Sequence, residues 1–443
     1  MLRKIIVIII LSAGLGALLY LKPWRENEVK NPRIIDRLPT ADFIGTMNPL
    51  ELVKEMSGLI NYNKIKYRQF ISYDFLLSQS RSLGINLQNP VFLFGFENGN
   101  WGCLIDLNDD SKIESGLSQL TTLFNLKKKN INGLSYLYFK EEKLSIFHEG
   151  NYLLLYSGSD FSRILTEVHN SKYGDIKSEW SSFLSDENFK NESLVIFSNW
   201  KKLKQFGIEK AMFAHDNDST NFNLKTYFKK ISPFYVSPKS GPSIINSKKK
   251  LGNYANIHLN IDDFKKHPED VLYVEISKLM RKYGFPFDEF IKTWQGDISF
   301  HEGGNTTAKE IFKETVLDEE FNPILVEKER TVVVPAYTSL ITINNNFNRL
   351  YSKLKSKGLV TEESEKIRFL VSPPLVKKVK KNQLILFSGA TPIVKSVNQN
   401  EIQWNYKGTK FKFLLQKIQG NELYGNLNFS VRKIAKQSIT ILR

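Results

Sequence analysis

Short apolar runs joined by brief polar turns recur along this chain, and that spacing constrains its fold more than any other feature. Strands linked so tightly must lie antiparallel, because parallel neighbours need a crossover of a dozen residues or more. Residues 91–96 and 101–107 flank Glu97-Asn98-Gly99-Asn100, and 135–139 and 144–147 flank Lys140-Glu141-Glu142-Lys143. Further on, 401–406, 410–416 and 422–430 are separated by turns holding Gly408 or Gly420.

A second pattern, a strand running into a polar cap and then a helix, is repeated. Residues 41–47 lead into Asn48 and Pro49, 194–197 into Ser198, 254–259 into Asn260, and 336–343 into Asn344. Asn and Ser suit the N-cap, where a side-chain oxygen takes a free backbone N–H, and Pro suits the first helical position. Residues 151–156 and 382–387 match as strands, each followed by a Ser-Gly pair (Ser157 and Gly158, Ser388 and Gly389), with helices expected to Val168 and Val397. Helices over 70–83 and 271–283 both end at a glycine, Gly84 and Gly284.

These echoes point to a duplication. The expected fold is α+β, with an N-terminal transmembrane helix followed by two related lobes of extended antiparallel sheet, helices packed on one face. The organisation read from the chain is an anchor over 1–24, a juxtamembrane linker over 25–40, a first lobe over 41–236, a linker over 237–252 and a second lobe over 253–443, whose C-terminal part is basic.

Residues 5–21 carry no charge, enough helix to span about 25 Å. Arg3 and Lys4 precede this run, Lys22 follows it, and Tyr20 and Trp24 suit the headgroup region. The run continues past Gly14 and Gly16 without the ending of a cleaved signal peptide, so an uncleaved signal anchor is expected. A short basic N-terminus stays cytoplasmic, which predicts a single-pass protein of the bacterial inner membrane with the bulk of the chain in the periplasm.

Charge is distributed unevenly. The chain has 62 Lys+Arg against 46 Asp+Glu, a net +16. Residues 345–443 alone hold 19 basic and 5 acidic side chains, a field that favours an anionic lipid, a glycan or an acidic protein surface. Within it, Lys377, Lys378, Lys380 and Lys381 form the candidate surface for an anionic partner. Cys103 is the single cysteine and sits in an apolar run, which excludes an internal disulfide and a multi-cysteine zinc site and reads as a packed thiol.

Leu38-Pro39-Thr40-Ala41-Asp42 ahead of a strand and Asn-capped helix, the Leu83-Gly84-Ile85 joint and the Trp294-Gln295-Gly296-Asp297 strand start, taken with the anchor, resemble an uncharacterised family of signal-anchored envelope proteins of Bacteroidota. The resemblance covers most of the chain, implies an envelope location and the fold above, and carries no activity.

Motifs for chemistry are sparse. There is no His-Glu-x-x-His, phosphate loop or Gly-x-Ser-x-Gly elbow. His148-Glu149 and His301-Glu302 close strands, and strand neighbours point to opposite faces, so neither pair makes a metal site alone. Ser198/Lys201, Ser247/Lys250 and Ser352/Lys355 match Ser-x-x-Lys, but the accompanying motifs have the wrong order and spacing. Asp106, Asp109 and Asp110 lack the loop spacing of a calcium site, and Asp109 or Asp110 reads as a helix cap. Accordingly no catalytic, cofactor-binding or metal-ligating residue is assigned. The expected function is a non-enzymatic, membrane-anchored periplasmic binding or scaffold protein for an envelope component, with an amphiphile carrier as the alternative and an envelope hydrolase behind both. The expected partners are the inner membrane and an envelope protein or anionic lipid or glycan, not nucleic acid; oligomeric state stays open.

Overall fold

The computed structural model describes residues 32–429 except 63–79, 81, 125, 141–142, 176–179, 181–182, 184–191, 199, 217–221, 246–250, 318, 364–365, 370–374, 390 and 407–408. It divides into two compact units, residues 1–204, 208–229 and 426–443 in the first, 205–207 and 230–425 in the second.

In the first unit β1 (Phe43–Met47), α1 (Pro49–Tyr62), β2 (Val91–Gly95), β3 (Trp101–Asp106), α2 (Asp110–Phe124), β4 (Lys127–Ile131), β5 (Leu134–Phe139), β6 (Leu144–Glu149), β7 (Tyr152–Ser157), α3 (Phe161–His169), β8 (Leu194–Ser198), α4 (Lys201–Gln205), β9 (Ile208–Asp216) and β10 (Phe222–Lys230) follow in order. The strands lie β4-β5-β6-β7-β3-β2-β1-β8-β9-β10 across the sheet. α1 and α2 bring Leu52, Ile113 and Leu117 onto Val91, Cys103, Ile105, Leu153 and Leu155. Tyr156, on the opposite pleat, meets Phe161 of α3 with ring centroids 6.0 Å apart. Helices therefore cover both faces, which is why all six residues of β7 are buried.

The second unit holds β11 (Ser237–Pro238), β12 (Gly241–Ile245), β13 (Leu251–Asn260), α5 (Asp262–Lys266), α6 (Val271–Lys282), α7 (Phe287–Thr293), β14 (Trp294–Leu317), β15 (Pro323–Ile343), α8 (Phe347–Ser356), β16 (Val360–Glu363), β17 (Lys366–Phe369), β18 (Leu375–Lys380), β19 (Gln383–Phe387), β20 (Ile393–Val397), β21 (Asn400–Tyr406), β22 (Thr409–Gln419) and β23 (Glu422–Phe429), the unit boundary falling inside β23. Its order is β16-β17-β18-β19-β15-β14-β13-β21-β22-β23. Strand for strand this is the order of the first unit, with helices likewise between the first and second and the third and fourth strands. α8 packs on one sheet face against Ile341, Leu384 and Leu386, beside α5–α7 around Leu259 and Trp294. The other face is covered by the β12–β20 ribbon, where Ile244 meets Leu340, Ile385 and Phe387.

Three expectations are corrected. The fold is not α+β behind a transmembrane helix: strand outweighs helix by 52% to 22%, so helices decorate an antiparallel sheet fold, and they are not confined to one face. The segment 382–397 shows why. After Phe387, Pro392 precedes Ile393, Val394 and Val397, whose β-branched side chains favour a strand over the expected helix, and β20 pairs with β12. Among the described residues no helix is long and apolar enough to cross a membrane. The 15-residue α2 would reach about 22 Å where a bilayer core needs about 30 Å. The single-pass inner-membrane anchor with a periplasmic body is therefore not supported; Arg3, Lys4, Tyr20, Lys22 and Trp24, on which it rested, lie outside the described residues. The segment read as a linker, 237–252, carries β11 and β12.

Candidate interaction surface

β14 and β15 are much longer than their sheet requires. Pairing with β13 ends at Gly303 and pairing with β19 ends at Thr338. Beyond those points the two strands pair with each other from Asn305 and Pro335 to Leu317 and Pro323. Twelve residue steps at about 3.3 Å make an arm about 40 Å long, and among the described residues neither outer edge has a strand partner. The corresponding hairpin of the first unit, β2–β3, spans 5 and 6 residues and turns after Gly95.

Cross-strand pairs hold the arm. Lys328 and Glu314 lie 2.7 Å apart, Lys313 and Glu327 3.5 Å, and the Arg330 guanidinium sits 5.3 Å over the Phe312 ring. Its base is tied where Thr306 Oγ1 donates to the Ser388 carbonyl at 2.8 Å. The tip is apolar and solvent-facing: Leu317 is 60% exposed, Leu325 68% and Phe321 80%. Phe321 also has φ +63°, a left-handed backbone that bulky residues rarely adopt. Residues 305–335 carry seven acidic and four basic side chains, a net −3 within a chain of +16.

A second solvent-facing surface lies on β21 and β22. Ile402, Trp404 and Tyr406 alternate along β21 and so share one face. In register, Phe413 lies opposite Ile402 and Phe411 opposite Trp404, the last two stacked at 5.5 Å.

The lysine cluster read from the sequence is divided by the strand pleat. In β18, Lys377 shares a face with Leu386, reaches Glu362 at 3.4 Å and lies 4.0 Å over Tyr351. Hydrogen bonds from Lys355, Tyr351 and Lys377 pull the Glu362 carboxyl down to about 2. Lys378 and Lys380 point to the opposite face, and Lys381 occupies a left-handed turn at φ +47°.

Three buried side chains have the connectivity of an acyl-transfer triad. His258 Nδ1 lies 3.1 Å from Asp297 Oδ1 and donates to it, and Ser243 Oγ donates to His258 Nε2 at 2.7 Å. Thr342 Oγ1 donates to Asp297 Oδ2 at 2.9 Å, and Lys239 lies 3.2 Å away. Burial opposes ionisation of Asp297, but the bonds from His258 and Thr342 and the Lys239 charge outweigh it and hold the carboxyl below its usual range. Ser243 is 1% exposed and His258 0%. A Cβ on Gly241 would fall 2.2 Å from both the His258 ring and the Asp297 carboxylate, so β12 closes directly over the pair. The trio joins the ribbon to the sheet, helped by the Ile244 N–H donating to Ser299 Oγ at 3.0 Å.

The His-Glu pairs separate as alternation dictates. His148 meets Asp110 at 2.7 Å while Glu149 meets His169 at 2.8 Å. His301 is buried beside Asn256, which lowers its pKa. Asp109 caps α2 by accepting from the Ser111 N–H at 3.1 Å. Cys103 is fully buried, and burial pushes its thiol up to about 12. No cluster of three or more metal-type ligands occurs among the described residues. A groove of about 890 Å³ in the first unit is open and lined by Asp36, Asp160, Arg163, Glu167 and Asp175. Its carboxylates are already engaged, Asp36 by Arg33 at 2.9 Å and Asp160 and Glu167 by Arg163 at 2.9 and 3.3 Å.

No family model and no curated protein matches the chain. Among solved structures, crystal form IV of TP0453 aligns over 45% of this chain and 81% of that one, with 7% identity and a TM-score of 0.30. Crystal form I of the same protein covers 84% and 95% at 8% identity, with a TM-score of 0.23.

Proposed function

We propose that this chain is a non-enzymatic binding or scaffold protein that holds a macromolecular partner through the β14–β15 arm. One observation carries the reading: the arm is a two-stranded ribbon about 40 Å long with open edges and an apolar tip, and its unit needs none of it to fill its core. An exposed strand edge is a template for another chain, and strand addition supplies affinity through backbone hydrogen bonds while alternate side chains select the partner. The enclosed apolar space that an amphiphile carrier needs has no counterpart in the open, charged groove of the first unit. The test is a photo-crosslinking residue at Phe321 in the native host, with Tyr173, 57% exposed in the first unit, as control. A discrete adduct from position 321 that is absent from 173 is expected. Equal, diffuse labelling at both positions would refute the reading.

A further inference from the structure

We propose that the aromatic face of β21 and β22 is a glycan-binding shelf, shaped for a neutral, β-linked chain of gluco-configured sugars. It shares no residue with the arm.

Strand register assembles the shelf. Ala255 of β13 lies opposite both Phe300 of β14 and Ile402 of β21, so Glu302 and Trp404, two residues further along, share that face. Trp404 lies opposite Phe411 of β22, and Glu302 opposite Tyr337 of β15. Between them Asn253 Nδ2 donates to Glu302 Oε2 at 2.6 Å, and Asn253 Oδ1 accepts from the Asn405 N–H at 2.8 Å. One row thus runs Tyr337, Glu302, Asn253, Trp404, Phe411 across neighbouring strands. At about 4.8 Å per strand its length is about 19 Å, that of a short oligosaccharide. Tyr337 marks the margin of the α8 cluster that covers this face; beyond it Trp404 is 37% and Tyr406 59% exposed.

Three features of the row point to sugar. First, rings at both ends flank a carboxylate and an amide. Equatorial hydroxyls leave the two faces of a gluco-configured ring lined with C–H groups, which pack on aromatic planes. The hydroxyls around its rim pair with groups such as Glu302 and Asn253, whose donors and acceptors outnumber the one bond between them. Second, the face fits a ligand without charge. Lys410 and Lys412 lie opposite Asn405 and Gln403, on the other pleat, which leaves Glu302 as the charged group of the row. A nucleic acid strand, whose bases would also stack on these rings, needs cations along its phosphates, and Glu302 repels it. Third, the Glu302–Asn253 pair disfavours an apolar protein face, which would bury hydrogen-bonding groups without satisfying them. Sugar hydroxyls satisfy them.

The test titrates the full chain with cellotetraose and with tetra-N-acetylchitotetraose by isothermal calorimetry, and records saturation transfer from aromatic protons to the sugar C–H protons. Binding of at least one is expected, with a Kd between about 10 μM and about 1 mM. Trp404→Ala should raise Kd about tenfold, Trp404→Phe by less than about threefold and Glu302→Gln about fivefold. Tyr406→Ser, at an exposed position, should also weaken binding and saturation transfer, and it decides the matter if Trp404→Ala fails to fold. Lys410→Ala, on the other pleat, should leave Kd unchanged. No heat and no saturation transfer with either sugar up to about 10 mM overturns the proposal, as does binding that survives both Trp404→Ala and Tyr406→Ser unchanged. A heparin tetrasaccharide that binds where the neutral sugars do not would assign an anionic ligand and overturn it. A protein adduct from a photo-crosslinking residue at position 406 in the host, with neither sugar bound, would assign the face to a protein and overturn it too.

Discussion

Replacing Ser243 by Ala tests whether the buried Ser243–His258–Asp297 trio is a joint or a disguised catalytic centre. The substitution removes one hydroxyl and leaves His258 Nε2 without its partner in a position that is 0% exposed. A buried polar group left unsatisfied costs about 1–3 kcal/mol. The loss falls on the β12–β20 ribbon, which is otherwise held to the sheet by the Ile244–Ser299 hydrogen bond and by Ile244 packing on Leu340, Ile385 and Phe387. Local opening of the ribbon should therefore become easier by about that amount, so amide exchange of residues 241–245 and 393–397 should quicken by about tenfold to about a hundredfold. Exchange elsewhere, in β7 for instance, should not change. A fluorophosphonate should leave native Ser243 unlabelled, because β12 closes over the trio. Ribbon exchange that stays within about threefold of the parent, or stoichiometric labelling of Ser243, would refute the reasoning.

Other outcomes follow from the same kind of argument. Lys230, 0% exposed, is held by Asp270, Ser232 Oγ at 2.7 Å and the Pro233 carbonyl at 3.0 Å. Lys230→Met should cost about 3–5 kcal/mol in urea unfolding, because Asp270 is left charged and buried, and adding Asp270→Asn should recover part of that. Gly296 has φ +97°, and a Cβ there would sit 1.9 Å from the Leu259 carbonyl; Gly296→Ala should cost about 2–3 kcal/mol by the same measurement. The Asp297 carboxyl titrates below its unfolded value of about 3.9. Its contribution is thus complete above that value and is lost as pH falls through the lower folded value. Protection of the ribbon amides, taken relative to their intrinsic exchange rates, should fall below about pH 4, and Asp297→Asn should remove that acid dependence.

Antiparallel architecture was legible because it is written locally. Hairpin turns such as Glu97–Asn100 and the glycine after the helix that ends at Lys282, Gly284 at φ +74°, depend on residues close together in sequence, while the helix expected over 70–83 lies mostly outside the described residues. The Trp294–Asp297 motif was also visible, and its reason is now physical: only glycine fits where the backbone passes Leu259. Ribbon, trio and lysine surface were not legible in this way. Ser243, His258 and Asp297 are brought together by a strand crossing over a sheet, and nothing local announces that. Lys377 to Lys381 looked like one patch because sequence proximity conceals the pleat, which sends Lys377 to Glu362 and Lys378 and Lys380 the other way. The arm did leave a signal. Lys313 and Glu327, and Glu310 and Arg330, are mirror-placed in sequence, with Glu314 and Lys328 on a neighbouring diagonal, a charge register that a search for strand-helix units does not look for.

The strongest argument for the arm comes from comparing the two units rather than from the arm itself. Both thread ten strands in the same order, so the place of β14 and β15 in the second is the place of β2 and β3 in the first. There the hairpin closes as soon as the sheet is paired, and its residues are consumed by the core: Val91, Cys103 and Ile105 are all buried. In the second unit the same hairpin runs on past Gly303 and Thr338 into solvent. A two-stranded ribbon is marginally stable alone, and open edges beside exposed Leu317, Phe321 and Leu325 invite aggregation. Natural sheets usually suppress such a feature with bulges, proline or charge; here Pro335 stands at the base, the charges along the ribbon are largely paired across it, and the tip keeps its apolar side chains. A segment that adds nothing to the core and carries an aggregation risk is accounted for by a surface that covers it. That comparison is why the proposed binding surface is placed on the arm rather than on the buried trio or the acidic groove.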